Sequence, residues 1–289
     1  MSFSILIPVY NYDIRALVEQ LYEQAFLLSK EFEIVLIDDC SDLSNAYLNR
    51  KIVEFPEVSF HLLSKNVGRS KIRNLLFEKA KYEQCIIMDC DVMVQDKNFL
   101  KTYFEHLTSE NVVVGGHKYE AIPPENKQKQ LHWNYGVNKE MQPFTIREKS
   151  SYASFMTNCF AIYKSTFEQI KFDERIAEYG HEDTLFGIAL EKENIGITHI
   201  DNPVLHKGLD DKSVFIEKQQ KAIANLKNLE TDIQLKDDLR RKIKLLKANS
   251  NPLYRWIAKW GRRWAENELK KENPSLYALQ IMKLNWYNS

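Results

Sequence analysis

The sequence predicts an α/β fold, a mainly parallel sheet flanked by helices and followed by a helical C-terminal extension. Three observations carry this. Short apolar runs alternate with helical patterns through the first half of the chain. The runs are continuously apolar rather than alternating, as burial on both faces of a parallel sheet requires. Polar residues gather just after the runs, at the carboxyl ends of strands, where open α/β sheets hold ligands.

The elements follow in order. Residues 4–9 (SILIPV) read as a buried strand and 14–28 as an amphipathic helix. A second strand is predicted at 33–38 (EIVLID), a helix at 44–54, a third strand at 58–63 and a helix at 69–81. The fourth strand is 84–88 (QCIIM), followed by a helix at 98–107 and a fifth strand at 111–115. Residues 118–151 break this rhythm with Pro123-Pro124 and charged clusters, and a stretch that long inside a domain reads as a functional loop. Its His132, Trp133 and Tyr135 fit either ordinary packing or a segment closing over a ligand. Apolar order returns at 154–162, a helix starts near His181, and short strands follow at 196–200 and 204–206. From Asp211 the pattern is helical and charged to about Ala248, and after Asn249–Pro252 a Trp-rich helix begins. The expected division is a catalytic domain over 1–208 and a helical extension over 209–289.

Composition narrows the classes. The 289 residues are 44% hydrophobic and 28% charged, which suits a globular chain rather than a disordered one. Forty Lys and Arg balance forty Asp and Glu, without the basic excess of a nucleic-acid binder, so no nucleic-acid partner is expected. No apolar stretch reaches the length of a membrane span, and the N-terminus has no basic region or cleavage site of a signal peptide. Cys40, Cys85, Cys90 and Cys159 form no CxxC pair. They read as reduced, mostly buried thiols of a cytoplasmic protein.

Four strand ends carry chemistry: Pro8-Val9-Tyr10-Asn11, Asp38-Asp39-Cys40-Ser41-Asp42, Asn66-Val67-Gly68-Arg69 and Asp89-Cys90-Asp91. Any one of them fits a cap or a turn; four on one edge argue for a site. In extended chain, Asp89 and Asp91 face the same way, and two convergent carboxylates repel unless a cation lies near. Oxygen ligands of this kind suit Mg²⁺ or Mn²⁺ shared with substrate phosphates. There is no GxxxxGK[ST] loop and no GxGxxG fingerprint. A second cluster is Tyr179-Gly180-His181-Glu182-Asp183 at the start of a helix, where carboxylates are favoured by the dipole. Successive helical residues point about 100° apart, so only one of Glu182 and Asp183 is expected to face a reacting centre. His206 closes the run Pro203-Val204-Leu205 and fits either a structural role or a metal ligand.

The ordered set IPVYN, IDDCSD, NVGRSKIRN, MDCDV, YGHEDTLFG and VLH resembles the family 2 glycosyltransferases over about residues 3–208. The resemblance implies a GT-A fold and inverting transfer from a nucleoside diphosphate sugar with a divalent metal. It implies that Pro8 and Tyr10 line the nucleoside pocket. Asp39 would accept from the base, supported by Asp38, and Asn66, Gly68, Arg69 and Arg73 would lie beside base and phosphates. It implies Asp89 by the ribose and metal, Asp91 as direct metal ligand, His206 as third ligand, Asp183 as catalytic base and Glu182 orienting the site. Two positions depart from the family pattern: Cys40 stands where DDGS has glycine, and His181 where GGED has one. The DCD form is similar to sites in some chondroitin- and hyaluronan-type polymerases, which implies a UDP-sugar carrying an N-acetylhexosamine; the family resemblance implies a glycan or lipid-linked acceptor and a place in polysaccharide biosynthesis.

Two rival classes lack support in the residues. A sugar-phosphate nucleotidylyltransferase needs a Gly-rich basic loop after the first strand, and residues 8–15 offer none. A non-catalytic nucleotide-sugar-binding module should have lost DxD or ED, and both are present. In the extension, Leu253, Trp256, Ile257, Trp260 and Trp264 recur at helical spacing beside Arg255, Lys259, Arg262 and Arg263. Two readings stand for this segment, 252–270: packing on the catalytic domain or self-association, and peripheral contact with an anionic membrane.

Overall fold

The computed structural model describes residues 2–29, 31–176 and 179–289. Its strands are β1 (Ser2–Val9), β2 (Glu31–Asp38), β3 (Val58–Leu62), β4 (Gln84–Met88), β5 (Val92–Met93), β6 (Asn111–Val114), β7 (His117–Lys118), β8 (Cys159–Tyr163), β9 (Gly196–His199) and β10 (Val204–His206). Interleaved with them are helices α1 (Arg15–Leu28), α2 (Leu43–Arg50), α3 (Arg69–Lys79), α4 (Phe99–His106), α5 (Gln130–Tyr135), α6 (Phe144–Arg147), α7 (Lys164–Ile170) and α8 (Glu182–Lys192). The chain ends in α9 (Lys212–Leu229), α10 (Ile233–Lys242), α11 (Lys244–Ser250), α12 (Pro252–Lys270) and α13 (Leu276–Asn288).

The main sheet runs β3-β2-β1-β4-β8-β6-β9. All neighbours are parallel except β8, which is antiparallel to β4 and to β6. A second, three-stranded sheet runs β5-β10-β7. The fold is thus the expected α/β arrangement with a helical C-terminal region. The differences are instructive. β5 and β7 have two residues each, too few to show a period. Residues 118–151, expected to be loop, contain α5, α6 and turns of 3₁₀ and π helix. The single helical pattern expected from Asp211 to Ala248 breaks into α9, α10 and α11.

Contacts divide the chain into two units. The first comprises Met1–Tyr119, Met141–Ala177 and Leu185–Gly208, and the second Glu120–Glu140, Glu178–Thr184 and Leu209–Ser289. In the first unit the pleat of β1 separates two cores. Phe3, Ile5, Ile7 and Val9 join Ile34, Leu36, Ile86 and Met88 on one face. Leu6 joins Val35, Ile37 and Ile87 on the other, above a ring cluster in which Phe77 stacks on Phe167 at 3.5 Å. Because both faces are covered, the polar ends of the strands are the part of the sheet left to carry chemistry. In the second unit, Leu131, Phe215, Ala265, Leu279 and Met282 form a core of their own. Cys85 and Cys159 are buried and Cys90 is half-buried, but Cys40 is exposed. It stands in a loop at a strand end rather than within a strand.

Candidate active site

The loops after β1, β2 and β3 are sewn together by short polar bonds. Asn11, at φ 48°, receives the Asp42 amide on its side-chain oxygen at 2.8 Å, while its own amide donates to Ser41 Oγ at 2.7 Å. Asp38 is fully buried and accepts from the Ser41 amide at 2.7 Å. Asp39 accepts the Val67 amide at 2.6 Å and the Gly68 amide at 3.1 Å. Asn66 donates to the Asp39 carbonyl at 3.2 Å. Burial raises the Asp39 carboxyl above its usual range, and the two amides oppose that shift. Asp39 thereby shapes the turn in which Gly68, at φ 86°, opens α3 and Arg69 becomes its first residue. Pro8 is half-buried inside β1, and Tyr10 beyond it is 53% exposed.

Cys40, in the position of the family's glycine, takes φ 64°. His181 at the second departure takes φ 72°. Both keep the left-handed backbone that glycine favours, so the turns persist with different side chains.

The Asp89-Cys90-Asp91 segment does not continue the strand. β4 ends at Met88 and the chain turns at Cys90-Asp91 before β5. The two carboxylates therefore reach different partners. Asp89 Oδ1 accepts from Arg73 Nη2 at 2.7 Å, and the Arg73 guanidinium lies over the Phe172 ring at 5.6 Å. The positive charge that the acidic pair calls for is supplied to Asp89 by the protein itself, from α3. Asp91 lies 3.8 Å from His206 Nδ1. Burial pushes the Asp91 carboxyl up, and His206 counters it more than any other neighbour.

β5 is what places His206. Val92 pairs with His206 across the antiparallel β5–β10 ladder, one residue after Asp91. The Lys207 amide then donates to the Asp91 carbonyl at 2.8 Å. At Gly208 a Cβ would overlap Asp91 Oδ2, so only glycine lets the chain pass there with the carboxylate in place. The Tyr119 ring packs edge-on against the His206 ring, centroids 5.3 Å apart. Gly208 and Tyr119 escaped the sequence reading. The only signal was a glycine two residues after a strand-end histidine.

In the second unit, Gly180 takes φ 109°, and a Cβ there would overlap Ala222. Its amide donates to Glu182 Oε2 at 3.1 Å. Glu182 is buried and bonded back onto its own turn, whereas Asp183 is half-buried. The Thr184 amide donates to Asp183 Oδ1 at 2.7 Å. Burial pushes the His181 imidazole down to about 4, so it is neutral at pH 7. Of the aromatics singled out in 118–151, His132 stacks on Phe215 at 4.5 Å, Trp133 Nε1 donates to the Glu120 carbonyl at 2.8 Å, and Tyr135 accepts from Lys283 Nζ at 2.8 Å.

Of the expected metal ligands the structure brings together Asp91 and His206, and turns Asp89 to Arg73. Among the described residues no three His, Cys, Asp or Glu side chains gather into a metal cage. The remaining donor set, one carboxylate and one imidazole beside the glycine-bared Gly208, still fits a divalent cation. Such cations commonly take few protein ligands and complete their shell with substrate phosphates and water.

A mainly parallel sheet flanked by helices, with acidic turns at its strand ends, is the arrangement of a GT-A fold. The family model for glycosyl transferase family 2 matches residues 4–170, and the chain belongs to that family. Solved structures share the fold at low identity. S. aureus TarS 1–349 is 20% identical with a TM-score of 0.52, over 99% of this chain and 89% of that one. The mannosyltransferase PcManGT from Pyrobaculum calidifontis, in complex with GDP-Man and Mn²⁺, is 12% identical with a TM-score of 0.61, over 99% and 83%. TarS 1–349 in complex with UDP-GlcNAc is 19% identical with a TM-score of 0.53, over 99% and 89%. No curated protein sequence matches the chain.

Proposed function

We propose that the protein is an inverting glycosyltransferase that moves a sugar from a nucleoside diphosphate sugar, a UDP-sugar, to a hydroxyl of a glycan or lipid-linked acceptor. The observation that carries this reading is the Asp91–His206 contact built by the β5–β10 ladder and kept open by Gly208. That carboxylate and imidazole would hold Mn²⁺ or Mg²⁺. The chemistry such a cation supplies when bound is neutralisation of charge on the departing diphosphate. Tyr10 and the Asp39–Asn66–Gly68–Arg69 turn would receive the nucleoside. Arg73 holds Asp89 in place and balances its charge.

Asp183 would act as general base. Its carboxylate takes the proton of the acceptor hydroxyl as that oxygen bonds to the anomeric carbon. The bond from that carbon to the diphosphate oxygen breaks on the opposite face, and configuration inverts. Glu182, tied to the Gly180 amide, sets the turn that presents Asp183.

Thermal-shift measurement with nucleotides tests the reading. UDP with Mn²⁺ should raise the melting temperature more than either alone, and more than GDP with Mn²⁺. A chain that responds to no nucleoside diphosphate in the presence of either metal would sink it.

A further inference from the structure

The amphipathic helix α12 presents its apolar side to solvent. Its buried residues are Ala258, Ala265 and Leu269. α13 covers the side that carries these small residues, where Asn285 donates to the Ala258 carbonyl at 2.8 Å and Ile281 lies next to Gly261. At about 3.6 residues per turn, Leu253, Trp256, Ile257, Trp260 and Trp264 fall on the opposite side. They are exposed by 58%, 59%, 39%, 72% and 49%. Helices normally bury the large side chains and expose the small and polar ones. Here the small residues carry the packing and the tryptophans are left outside.

The sequence around them is basic, and part of that charge is paired, Arg240 with Glu230 at 3.3 Å and Arg241 with Asp238 at 2.9 Å. Between Asp238 and Glu266 the sequence holds nine Lys or Arg and no acidic residue, in a chain whose net charge is zero. On α12 itself Arg255, Lys259, Arg262 and Arg263 are all exposed. Arg262 pairs with Glu266 at 2.8 Å at the end of the stretch.

We infer that α12 docks the protein on a lipid surface bearing anionic headgroups, with the tryptophans entering the interface and the basic residues meeting the phosphates. Indole rings suit the headgroup level, having an apolar body and one polar N–H. Lys and Arg beside them add attraction to an anionic leaflet. No helix among the described residues is long and apolar enough to cross a membrane, so α12 would lie along the surface. Charge decides between this occupant and a second copy of the chain. Two copies meeting through this face would bring the exposed Arg255, Lys259 and Arg263 of each together. The inference is independent of the reaction proposed above.

Vesicle co-sedimentation of the full chain tests it. With vesicles of about one-third phosphatidylglycerol in phosphatidylcholine the protein should pellet, and with phosphatidylcholine alone it should stay in solution. Three of the five tryptophans lie on α12, so binding should shift the intrinsic emission to the blue. Replacing Trp256, Trp260 and Trp264 together by Ser should weaken binding at least about tenfold and remove the shift. Replacing Arg255, Lys259 and Arg263 by Gln should also weaken it at least about tenfold, and raised salt should mimic that loss. All six side chains are exposed, so both variants should keep the wild-type melting temperature. If a variant melts early, the other set and the salt series carry the test. Equal pelleting with neutral and anionic vesicles overturns the inference, as does unchanged binding by both variants. A dimer that depends on the tryptophans, or binding to duplex DNA without binding to vesicles, overturns it too.

Discussion

Arg73 on α3 closes on Asp89 at 2.7 Å, its side chain 3% exposed and that of Asp89 20%. The pair lies at the end of β4, and the Asp89 charge helps to raise the neighbouring Asp91 carboxyl. The guanidinium therefore compensates one acid of the DxD turn and leaves the other to His206. Removing one partner of a nearly buried ion pair strands the other charge. Arg73→Met is expected to lower unfolding free energy by ~3 kcal/mol. Adding Asp89→Asn should recover at least ~1 kcal/mol of that, because no orphan carboxylate remains. Urea titration of the two single variants and the double variant reads the coupling; strict additivity would show that the pair is inert.

The Asp91–His206 contact predicts an ordered series in donor binding. Asp91→Ala should abolish the metal-dependent part of UDP affinity, since the anionic ligand is gone. His206→Ala should weaken it less, because the carboxylate remains. Gly208→Ala forces a methyl group into the place of Asp91 Oδ2 and should fall between the wild type and Asp91→Ala. Calorimetry of UDP with Mn²⁺ checks the order. Unchanged affinity in Asp91→Ala would remove the residue from the site.

Asp183→Asn keeps nearly the same size but cannot take up the acceptor proton. A general base contributes about 10²- to 10⁴-fold, so transfer should fall by that range while UDP affinity stays at the wild-type value. Activity within a few-fold of wild type would reject Asp183 as the base. Loss of UDP binding would place it in the donor site instead.

Lys283 predicts a pH dependence of stability. Burial pulls its ammonium down to about 8, while Tyr135, which accepts its hydrogen bond, is itself raised and stays neutral. With the folded value below the unfolded one, the unfolded chain binds more protons between about pH 8 and 10.4, so this residue's contribution rises with pH across that window. The gain is on the order of 3 kcal/mol. It should be missing in Lys283→Met, whose stability at pH 7 should equal or exceed that of the wild type. Denaturation of both proteins between pH 7 and 10.5 gives the difference; parallel curves would mean that Lys283 keeps its ordinary affinity for protons.

Much of the architecture is local and was readable as such. β1, β2 and β4 announce themselves as continuous apolar runs because both faces of the sheet are covered. The polar ends of those runs are visible because side-chain chemistry does not depend on what packs nearby. The turn at Cys90-Asp91 was not readable, since a strand end looks the same whether the next two residues extend or bend. The placement of His206 was also hidden, because β5 and β10 are too short for a period and their pairing joins positions more than a hundred residues apart.

By itself the sequence determined the α/β rhythm, the family pattern and the identity of the acids at the strand ends. Each is set by residues close together along the chain. The tertiary structure alone decided that β8 runs against its neighbours, since a strand's composition carries no direction. It decided that Arg73 reaches Asp89, and that Cys40 and His181 keep a left-handed backbone where the family has glycine. It also decided which side of α12 is covered. Periodicity shows that a helix has an apolar face, but only the packing of α13 against Ala258, Gly261 and Ala265 shows that this face is turned to solvent.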